Sequence, residues 1–267
     1  MDSFRDTVAV ITGAGSGIGR ASALSMARLG AAIVVADVNE TEGPETVDLI
    51  QEAGGSAVFV ATEVSRADSM TSLRDQALST YGRVDVVMNN VGVIYRGRPE
   101  AIPAEVWQRH LEINLMSVVR SNEAFLPLLI AQGSGHVINT ASFAGLFPYS
   151  YDRLSYAAGK AAIVALSEGL ALYLRPQGIG VTLLCPGPVL TNIARDMPTF
   201  GPDLPLRIPG DFALLEPPEV GEMVAQAVLD NRFFLPTHPE VRDVLVRRAS
   251  DWDGFIAAQT AMLAEQD

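Results

Sequence analysis

A tyrosine and a lysine, Tyr156 and Lys160, stand four positions apart in this sequence, and Ser142 lies fourteen positions before the tyrosine. If the segment is helical, residues four apart share one face, with β-carbons about 5–6 Å apart. The positive charge of the lysine would then favour the phenolate and lower the tyrosine pKa from its ordinary value of about 10. Such a phenol can act as a general acid and base. Chance also places an exposed lysine beside a half-buried tyrosine on many helices.

A glycine-rich turn near the start of the chain gives this pair a context. The β-branched run at 7–12 predicts a buried strand, and a helical pattern that Gly30 is placed to end begins directly after the turn. Such a turn presents backbone N–H groups and the positive end of a helix dipole to a pyrophosphate. The spacing does not fit G-x-G-x-x-G, which would need a glycine at Ile18. It fits T-G-x-x-x-G-x-G, with Thr12, Gly13, Gly17 and Gly19.

These motifs resemble those of the short-chain dehydrogenase/reductase family, whose nucleotide motif is this variant and whose active site contains Ser, Tyr-x-x-x-Lys and Asn. The resemblance extends from Thr7 to about Leu235. The matching segments occur in family order: Thr12-Gly-Ala-Gly-Ser-Gly-Ile-Gly19, Asn89-Asn-Val-Gly92, Asn114, Ser142, Tyr156 with Lys160, and Pro186-Gly-Pro-Val-Leu-Thr191. The resemblance implies an oxidoreductase that transfers hydride between a nicotinamide cofactor and a secondary alcohol or ketone.

The same resemblance implies the catalytic roles. Ser142 would donate a hydrogen bond to the substrate oxygen, and Tyr156 would exchange the hydroxyl proton. Lys160 would lower the pKa of Tyr156 and grip the nicotinamide ribose. Asn114 matches the asparagine that kinks a long helix and holds a water in a proton relay from Lys160. A polar residue in an apolar helical stretch could instead be a local hydrogen-bonding defect.

Asp37 indicates which nicotinamide cofactor to expect. It ends a second strand pattern after the glycine turn, where a carboxylate can accept hydrogen bonds from the adenosine ribose and repel a 2′-phosphate. Neither Ser16 in the turn nor Val38 and Asn39 after the acid is basic. The sequence therefore favours NAD over NADP. The alternative is that Asp37 only terminates a strand or caps a turn.

Further cofactor contacts are implied by the family pattern. Glu63 stands where relatives commonly have Asp at the adenine amine, and Asn90 is expected to line the ribose, whereas Asn89 is expected to be structural. The Val189 backbone and the Thr191 hydroxyl match groups that hold the nicotinamide carboxamide. The full predicted cofactor set is Gly13, Ser16, Gly17, Ile18, Gly19, Asp37, Glu63, Val64, Asn90, Tyr156, Lys160, Gly187, Val189 and Thr191.

Strand-like runs alternate with helical patterns along the chain. Strands are predicted at 7–12, 32–37, 57–61, 84–89, 135–141 and 179–185, with a possible seventh at 233–236. The alternation predicts an α/β fold, a doubly wound Rossmann-type parallel sheet of six to seven strands with helices on both faces. We expect a single domain over 1–267, because too few residues follow the proline-rich stretch at 186–218 for a second one. A substrate lid loop is expected near 190–215 and a helical extension, with Pro239 at its first position, over 238–264.

Aromatic and apolar side chains near the predicted site indicate a substrate class. The loop at 143–152 contains two Phe and two Tyr, and the 190–215 loop carries Met197, Phe200, Phe212 and Leu214. A cleft with such walls favours a lipophilic or aromatic substrate over a sugar or a charged metabolite. Packing in the core or in a subunit interface would explain the same residues.

The composition disfavours several partners. With 19 basic and 31 acidic residues, the net charge is −12, which disfavours nucleic acid and anionic membranes. Cys185 is the single cysteine, and His110, His136 and His238 show no ligand spacing, so neither a disulfide nor a catalytic metal is expected. The N-terminus has no basic segment followed by an apolar one, and no uninterrupted apolar run has membrane-spanning length. A cytoplasmic protein is expected.

The family resemblance also implies that the protein assembles, and two alternative functions compete with the leading one. Relatives are usually dimers or tetramers, built through the helices that contain Asn114 and Tyr156, so a homo-oligomer such as a homotetramer is expected. One alternative is reduction of a thioester-bound 3-oxoacyl group, which the acidic surface and the lack of an NADP signature disfavour. The other is a non-catalytic NAD-sensing protein, which the complete catalytic set disfavours.

Overall fold

Seven parallel strands form the central sheet in a computed structural model of the protein, which describes residues 2–194, 197–202 and 204–265. The strands are β1 (Val8–Thr12), β2 (Ala32–Asp37), β3 (Ser56–Ala61), β4 (Val86–Asn89), β6 (Gly135–Thr140), β7 (Ile179–Cys185) and β9 (Phe234–Pro236). Their order is β3-β2-β1-β4-β6-β7-β9. Two short strands, β5 (Arg96–Gly97) and β8 (Thr199–Phe200), pair separately.

Helices connect the strands and cover both faces of the sheet. They are α1 (Gly17–Arg28), α2 (Glu42–Glu52), α3 (Ala67–Tyr81), α4 (Ala104–Leu111), α5 (Ser117–Gln132), α6 (Phe143–Leu146), α7 (Leu154–Leu174), α8 (Pro217–Leu229), α9 (Val241–Ser250) and α10 (Trp252–Ala264). A π-helical turn, Glu112–Met116, joins α4 to α5. The predicted doubly wound Rossmann-type fold is confirmed, including its seventh strand.

The buried strands are apolar on both sides because each side meets a helix layer. In β1, Ala9 and Ile11 pack into the apolar cluster that includes residues of α1 and α8. Val8 and Val10 point the other way, into the cluster that includes residues of α3, α5 and α7. Alternate residues of a strand face opposite sides of the sheet, so a continuous run of β-branched residues is what a doubly covered parallel strand requires.

Four strands differ from the sequence-based expectation by one residue at one end, and two boundaries differ by more. β4 begins at Val86 rather than at residue 84, and the Asp85 carboxylate before it accepts a hydrogen bond from the backbone of Val8 (2.9 Å). At the other end of the chain, α9 begins at Val241 with Glu240 as its N-cap. The placement of Pro239 at the first helical position was therefore wrong: its carbonyl accepts from the backbone N–H three residues on, in a tight turn that precedes the helix.

The helix that carries Tyr156 is long and apolar. Within the described part of the chain, residues 154–177 form the one helical segment that could cross a membrane by length and composition, with a mean hydropathy of 1.4. Its apolar run is interrupted by Lys160 and Glu168. Core helices of soluble proteins pass the same test, and α7 packs against β7 and α6. Its length and composition are therefore weak evidence for a membrane span.

Candidate active site

One cleft brings the predicted site residues together. It lies at the carboxyl ends of the central strands, around the neighbouring β1 and β4, and has a volume of about 820 Å³. This edge of a doubly wound sheet is where ligands bind, because connections from neighbouring strands diverge there. The predicted residues that line the cleft are Gly13, Ser16, Gly17, Ile18, Asp37, Glu63, Val64, Asn90, Ser142, Tyr156, Lys160, Gly187, Val189 and Thr191. The remaining two, Gly19 and Asn114, are buried.

The turn between β1 and α1 has the shape of a phosphate cradle. Gly13 and Gly17 have φ angles of +66° and +53°, which favour glycine. A β-carbon on Gly19 would lie 2.1 Å from the carbonyl oxygen of Gly13, so the helix starts directly against the turn. A β-carbon on Gly17 would lie 3.3 Å from the methyl group of Thr191. The residues thus fit a dinucleotide whose pyrophosphate meets the N-terminus of α1.

Asp37 closes the far end of this cradle. Its Oδ2 accepts a hydrogen bond from the backbone of Gly15 (2.8 Å) and its Oδ1 accepts one from the backbone of Asn39 (3.0 Å). A carboxylate has about four acceptor sites, so capacity remains for two ribose hydroxyls. Among the described lining residues, the cationic side chains are Lys160, Arg153 and Arg207, and they belong to the catalytic end.

The next two strands supply the sides of the cofactor end. Glu63 lines the cleft, and its Oε1 accepts hydrogen bonds from the backbone (3.1 Å) and hydroxyl (2.8 Å) of Ser65. Asn90 donates through Nδ2 to the carbonyl of Gly13 (3.3 Å), which ties β4 to the glycine turn. Asn89 instead donates to the Asn139 side chain (2.8 Å) inside the protein, a contact that suits a structural residue.

Asn114 occupies the π-helical turn between α4 and α5. Its Oδ1 accepts from the backbone N–H of Val93 (3.0 Å), and its Nδ2 donates to the carbonyls of Val93 (3.1 Å) and His110 (3.0 Å). A side chain that bonds the helix backbone this way accommodates a local widening of the helix. The helix is distorted at Asn114, as the family pattern implies. These contacts equally fit the alternative, a local hydrogen-bonding defect, and the relay role stays a prediction.

Ser142, Tyr156 and Lys160 converge at the catalytic end. Ser142 follows β6 and caps α6, with its Oγ accepting from the backbone of Ala144 (3.2 Å). Tyr156 and Lys160 lie in the first two turns of α7, as the four-residue spacing predicts. The Lys160 Nζ lies 5.7 Å from the centroid of the Tyr156 ring and donates to the carbonyl of Thr140 (2.7 Å).

Burial dominates the protonation of this pair. Desolvation raises the pKa of Tyr156 above its ordinary value, and a hydrogen bond with Ser142 opposes the rise. Burial also lowers the pKa of Lys160 to about 8. The net lowering of the Tyr156 pKa expected beside Lys160 is not found in the protein alone, because desolvation of the phenol outweighs the groups that lower its pKa, while Nζ donates to the carbonyl of Thr140.

His110 is one of the site residues that the sequence reasoning missed. It is buried, and its ring stacks on that of Tyr156 at 5.9 Å. Its Nδ1 lies 2.5 Å from the hydroxyl of Ser155, and its Nε2 lies 2.5 Å from the carbonyl of Val93. Burial lowers its pKa, which favours a neutral ring that donates from Nε2 and accepts at Nδ1. Its position one helical turn before Asn114 is the sequence feature that could have placed it near the site.

The other two histidines are structural. His136 Nε2 lies 2.8 Å from the hydroxyl of Thr182, and His238 Nε2 lies 2.7 Å from the carbonyl of Ala213. Over the described ranges, no three His, Cys, Asp or Glu side chains group in a way that could hold a metal ion.

The walls of the catalytic end are partly those expected from the sequence. Phe143 and Tyr149 of the aromatic loop line the cleft, and so do Met197, Phe212 and Leu214 of the 190–215 loop. Phe200 is not part of the wall: it belongs to β8, and its ring meets the edge of Tyr95 at 6.4 Å. Arg195, Asp196 and Asp203 of the same loop lie outside the described residues.

Two arginines, Arg153 and Arg207, also line the catalytic end and were missed. Arg207 belongs to the 190–215 loop, and its guanidinium lies 4.5 Å from the centroid of the Tyr151 ring. Arg153 precedes α7 directly. The sequence feature that could have identified it is a basic residue only three positions before Tyr156.

Known proteins resemble the chain along most of its length. A cyclohexanol dehydrogenase from an Acinetobacter species is 31% identical and aligns with 88% of this chain and 92% of its own. A probable oxidoreductase, EphD, from Mycobacterium tuberculosis is 34% identical over 89% of this chain, which spans only 42% of that longer relative.

Two solved structures are similar to the protein over most of its length. A short chain dehydrogenase/reductase from Burkholderia phymatum in complex with NAD is 35% identical, with a TM-score of 0.84 over 95% of this chain and 96% of that one. A 7α-hydroxysteroid dehydrogenase complexed with NADH and 7-oxo glycochenodeoxycholic acid is 26% identical, with a TM-score of 0.78 over 88% and 93%. The profile of the short chain dehydrogenases matches residues 7–200. The protein therefore belongs to the short-chain dehydrogenase/reductase family.

Proposed function

We propose that the protein is an NAD-dependent dehydrogenase that interconverts lipophilic secondary alcohols and ketones. The observation that carries this proposal is the single cleft that joins the glycine turn and Asp37 to Ser142, Tyr156 and Lys160. The apolar side chains of its walls support a lipophilic substrate. The cyclohexanol dehydrogenase relative and the NAD-bound structural relative support the reaction and the cofactor.

Ser142, Tyr156 and Lys160 would each have a separate role in the reaction. A bound nicotinamide would supply the acceptor for the hydride that leaves the alcohol carbon. Ser142 Oγ donates a hydrogen bond to the substrate oxygen, and Tyr156 Oη takes the alcohol proton, so the alcohol loses a hydride and a proton and becomes a ketone. In the reverse direction Tyr156 returns the proton, and burial, which raises its pKa, keeps the phenol protonated for that role. Lys160 holds the ribose and contributes positive charge when oxidation requires the phenolate.

A gap at Gly92 suits the proposed proton relay between Lys160 and Asn114. A β-carbon on Gly92 would lie 3.4 Å from Lys160 Nζ and 3.0 Å from Asn114 Oδ1. The missing side chain thus leaves space beside both polar atoms. A water that joins them would need that space.

Replacing Gly92 with alanine should therefore lower kcat by about tenfold, with little change in NAD affinity; this is less than the roughly hundredfold loss expected when a proton-transfer group is removed, because the substitution only crowds the relay. Steady-state kinetics and NAD titration measure both quantities. Gly169→Ala is the matched control, because a β-carbon there meets no atom within 4 Å and the residue lies on the exposed side of α7. A Gly92→Ala enzyme with unchanged kcat would contradict the relay.

Asp37 provides the test of cofactor preference. Asp37→Asn keeps the size of the side chain but removes the charge that repels a 2′-phosphate. We expect the NAD to NADP ratio of kcat/KM to fall at least about tenfold, equivalent to about 1.4 kcal/mol. Glu40→Gln removes an exposed acid three residues later and should leave the ratio unchanged. An unaltered ratio in Asp37→Asn would mean that this acid does not select the cofactor.

We also propose that the protein is a cytoplasmic homo-oligomer, a dimer or tetramer. On α7, the side chains of Leu172 and Tyr173 are 81% and 59% exposed, which suits contact with another subunit. Sedimentation velocity measures the state directly. A monomer at micromolar concentration would contradict the assembly.

A further inference from the structure

Two arginines share one carboxylate at the catalytic end of the cleft. Asp152 is fully buried, and its Oδ2 accepts from Arg96 through Nε (2.8 Å) and Nη2 (2.6 Å). Its Oδ1 accepts from Arg153 Nε (2.8 Å). Both arginines are more than nine-tenths buried. This trio therefore carries two positive charges and one negative charge inside a protein whose net charge is −12.

The guanidinium of Arg96 holds the 190–215 loop over the cleft. Beyond its contacts with Asp152, its Nη2 donates to the carbonyls of Leu204 (3.1 Å) and Pro205 (2.6 Å). Its short strand also pairs with Thr199–Phe200. The hydrogen bonds of this guanidinium thus go to the protein, and its role is to position the loop.

Arg153 differs because it lines the cleft. Its Nη2 donates to the carbonyl of Arg207 (2.9 Å) and to Asp152 Oδ2 (3.5 Å). Its guanidinium carbon lies 5.6 Å from the centroid of the Tyr149 ring, another residue of the wall, and the two side chains share a hydrogen bond. With the bond from Nε, these contacts use four of the five N–H donors of a guanidinium, so one remains for an anion in the cleft.

The position of Arg153 fixes where that anion would sit. It directly precedes α7, outside the helical turns, and it lines the same cleft as Tyr156. Its charge is near enough to the Tyr156 phenol to oppose the rise in that group's pKa, so an anion bound by Arg153 lies in the catalytic end of the cleft. Arginine donates charge-assisted hydrogen bonds to carboxylates and phosphates, and the singly charged carboxylate suits the apolar walls of this cleft better.

We propose that Arg153 binds a carboxylate of the substrate, so that the natural substrate is a lipophilic hydroxy acid or oxo acid. This inference rests on the proposed function and specifies its substrate class. It departs from the preference against charged substrates that the apolar walls indicate: Phe143, Phe212 and Leu214 would accommodate the hydrocarbon body, and Arg153 the charged end.

Matched acids and esters test the proposal. We would measure kcat/KM with NAD for 3- and 4-hydroxycyclohexanecarboxylate and for their methyl esters. The wild-type enzyme should prefer at least one acid over its ester by about tenfold or more. Arg153→Gln should reduce that preference to near unity, mainly by raising KM for the acid, while Arg153→Lys should restore part of it. Arg98→Gln, which removes an exposed arginine outside the cleft, should leave the preference unchanged.

The outcomes separate the two proposals. Equal turnover of acids and esters by the wild-type enzyme, or an equal loss for both in Arg153→Gln, would show that Arg153 only supports the loop and would overturn the inference. If no alcohol is oxidised, the proposed function fails instead. Calorimetric binding of 3-oxocyclohexanecarboxylate and its methyl ester to wild-type and Arg153→Gln protein then decides the role of Arg153: selective, Arg153-dependent binding of the acid supports it, and equal binding refutes it.

Discussion

Tyr156→Phe should lower kcat by at least about a hundredfold while NAD affinity changes by less than about twofold, because the substitution removes only the atom that exchanges the proton. The ring itself is buried and stacks on His110 at 5.9 Å, an arrangement that phenylalanine can keep. Its Oη takes part in a hydrogen bond with Ser142, which the variant loses. Stopped-flow and steady-state kinetics, with NAD titration by fluorescence, measure the two effects separately.

The pH dependence gives this prediction a second readout. Because burial raises the pKa of Tyr156, the protonated phenol prevails near neutrality, and alcohol oxidation should accelerate as pH rises. The residual rate of Tyr156→Phe should lack that dependence. Tyr95→Phe is the matched control, since Tyr95 also contacts the His110 ring, at 5.1 Å, but does not line the cleft. Tyr156→Phe with near wild-type kcat would refute the assigned acid and base.

Lys160→Met should inactivate the enzyme and, at pH 7, stabilise the fold. The lysine is 2% exposed, and its pKa falls from an ordinary 10.5 to about 8 because burial penalises its charge. That depression corresponds to a cost of about 3 kcal/mol below pH 8. Loss of the hydrogen bond to Thr140 offsets about 1–2 kcal/mol of the gain. We expect a net gain of about 1–2 kcal/mol, or a rise in Tm of roughly 2–8 °C, with kcat reduced at least about a hundredfold.

The charge of Lys160 destabilises the fold, whereas a lysine that gains an acidic partner on folding stabilises it. Since the folded pKa is the lower one, the unfolded chain binds more protons between pH 8 and 10.5, and wild-type stability rises across that interval. The methionine variant lacks this contribution, so its advantage should disappear by about pH 10. Denaturant unfolding at pH 7 and pH 10 tests the prediction. A variant less stable than wild type at pH 7, or an advantage independent of pH, would contradict it.

The parts of the protein that follow from local sequence pattern were predictable. Buried parallel strands require continuous apolar runs, so the seven strands could be located to within two residues. The glycine turn could be recognised because only glycine fits positive φ at Gly13 and close approach at Gly19. The helical spacing of Tyr156 and Lys160 placed both side chains in one cleft.

What the sequence did not predict depends on contacts between distant residues. Arg96 and Asp152 are 56 positions apart, and their contact forms only when the loop folds over the cleft. The protonation of Tyr156 depends on how completely the fold excludes water, which the spacing to Lys160 does not report. Short pairings such as β5 with β8 involve two residues each and leave no periodic signal.

Formation of reduced nicotinamide tests the central claim most directly. Purified protein with NAD and a panel of lipophilic secondary alcohols, including cyclohexanol and the hydroxycyclohexanecarboxylates, should produce the near-ultraviolet absorbance of the reduced cofactor, and the matching ketones should consume it. The account predicts turnover that depends on Tyr156 and prefers NAD. Tight NAD binding without turnover in either direction across the panel would contradict it and support an NAD-sensing protein, while turnover of thioester-bound 3-oxoacyl groups alone would support that alternative reductase.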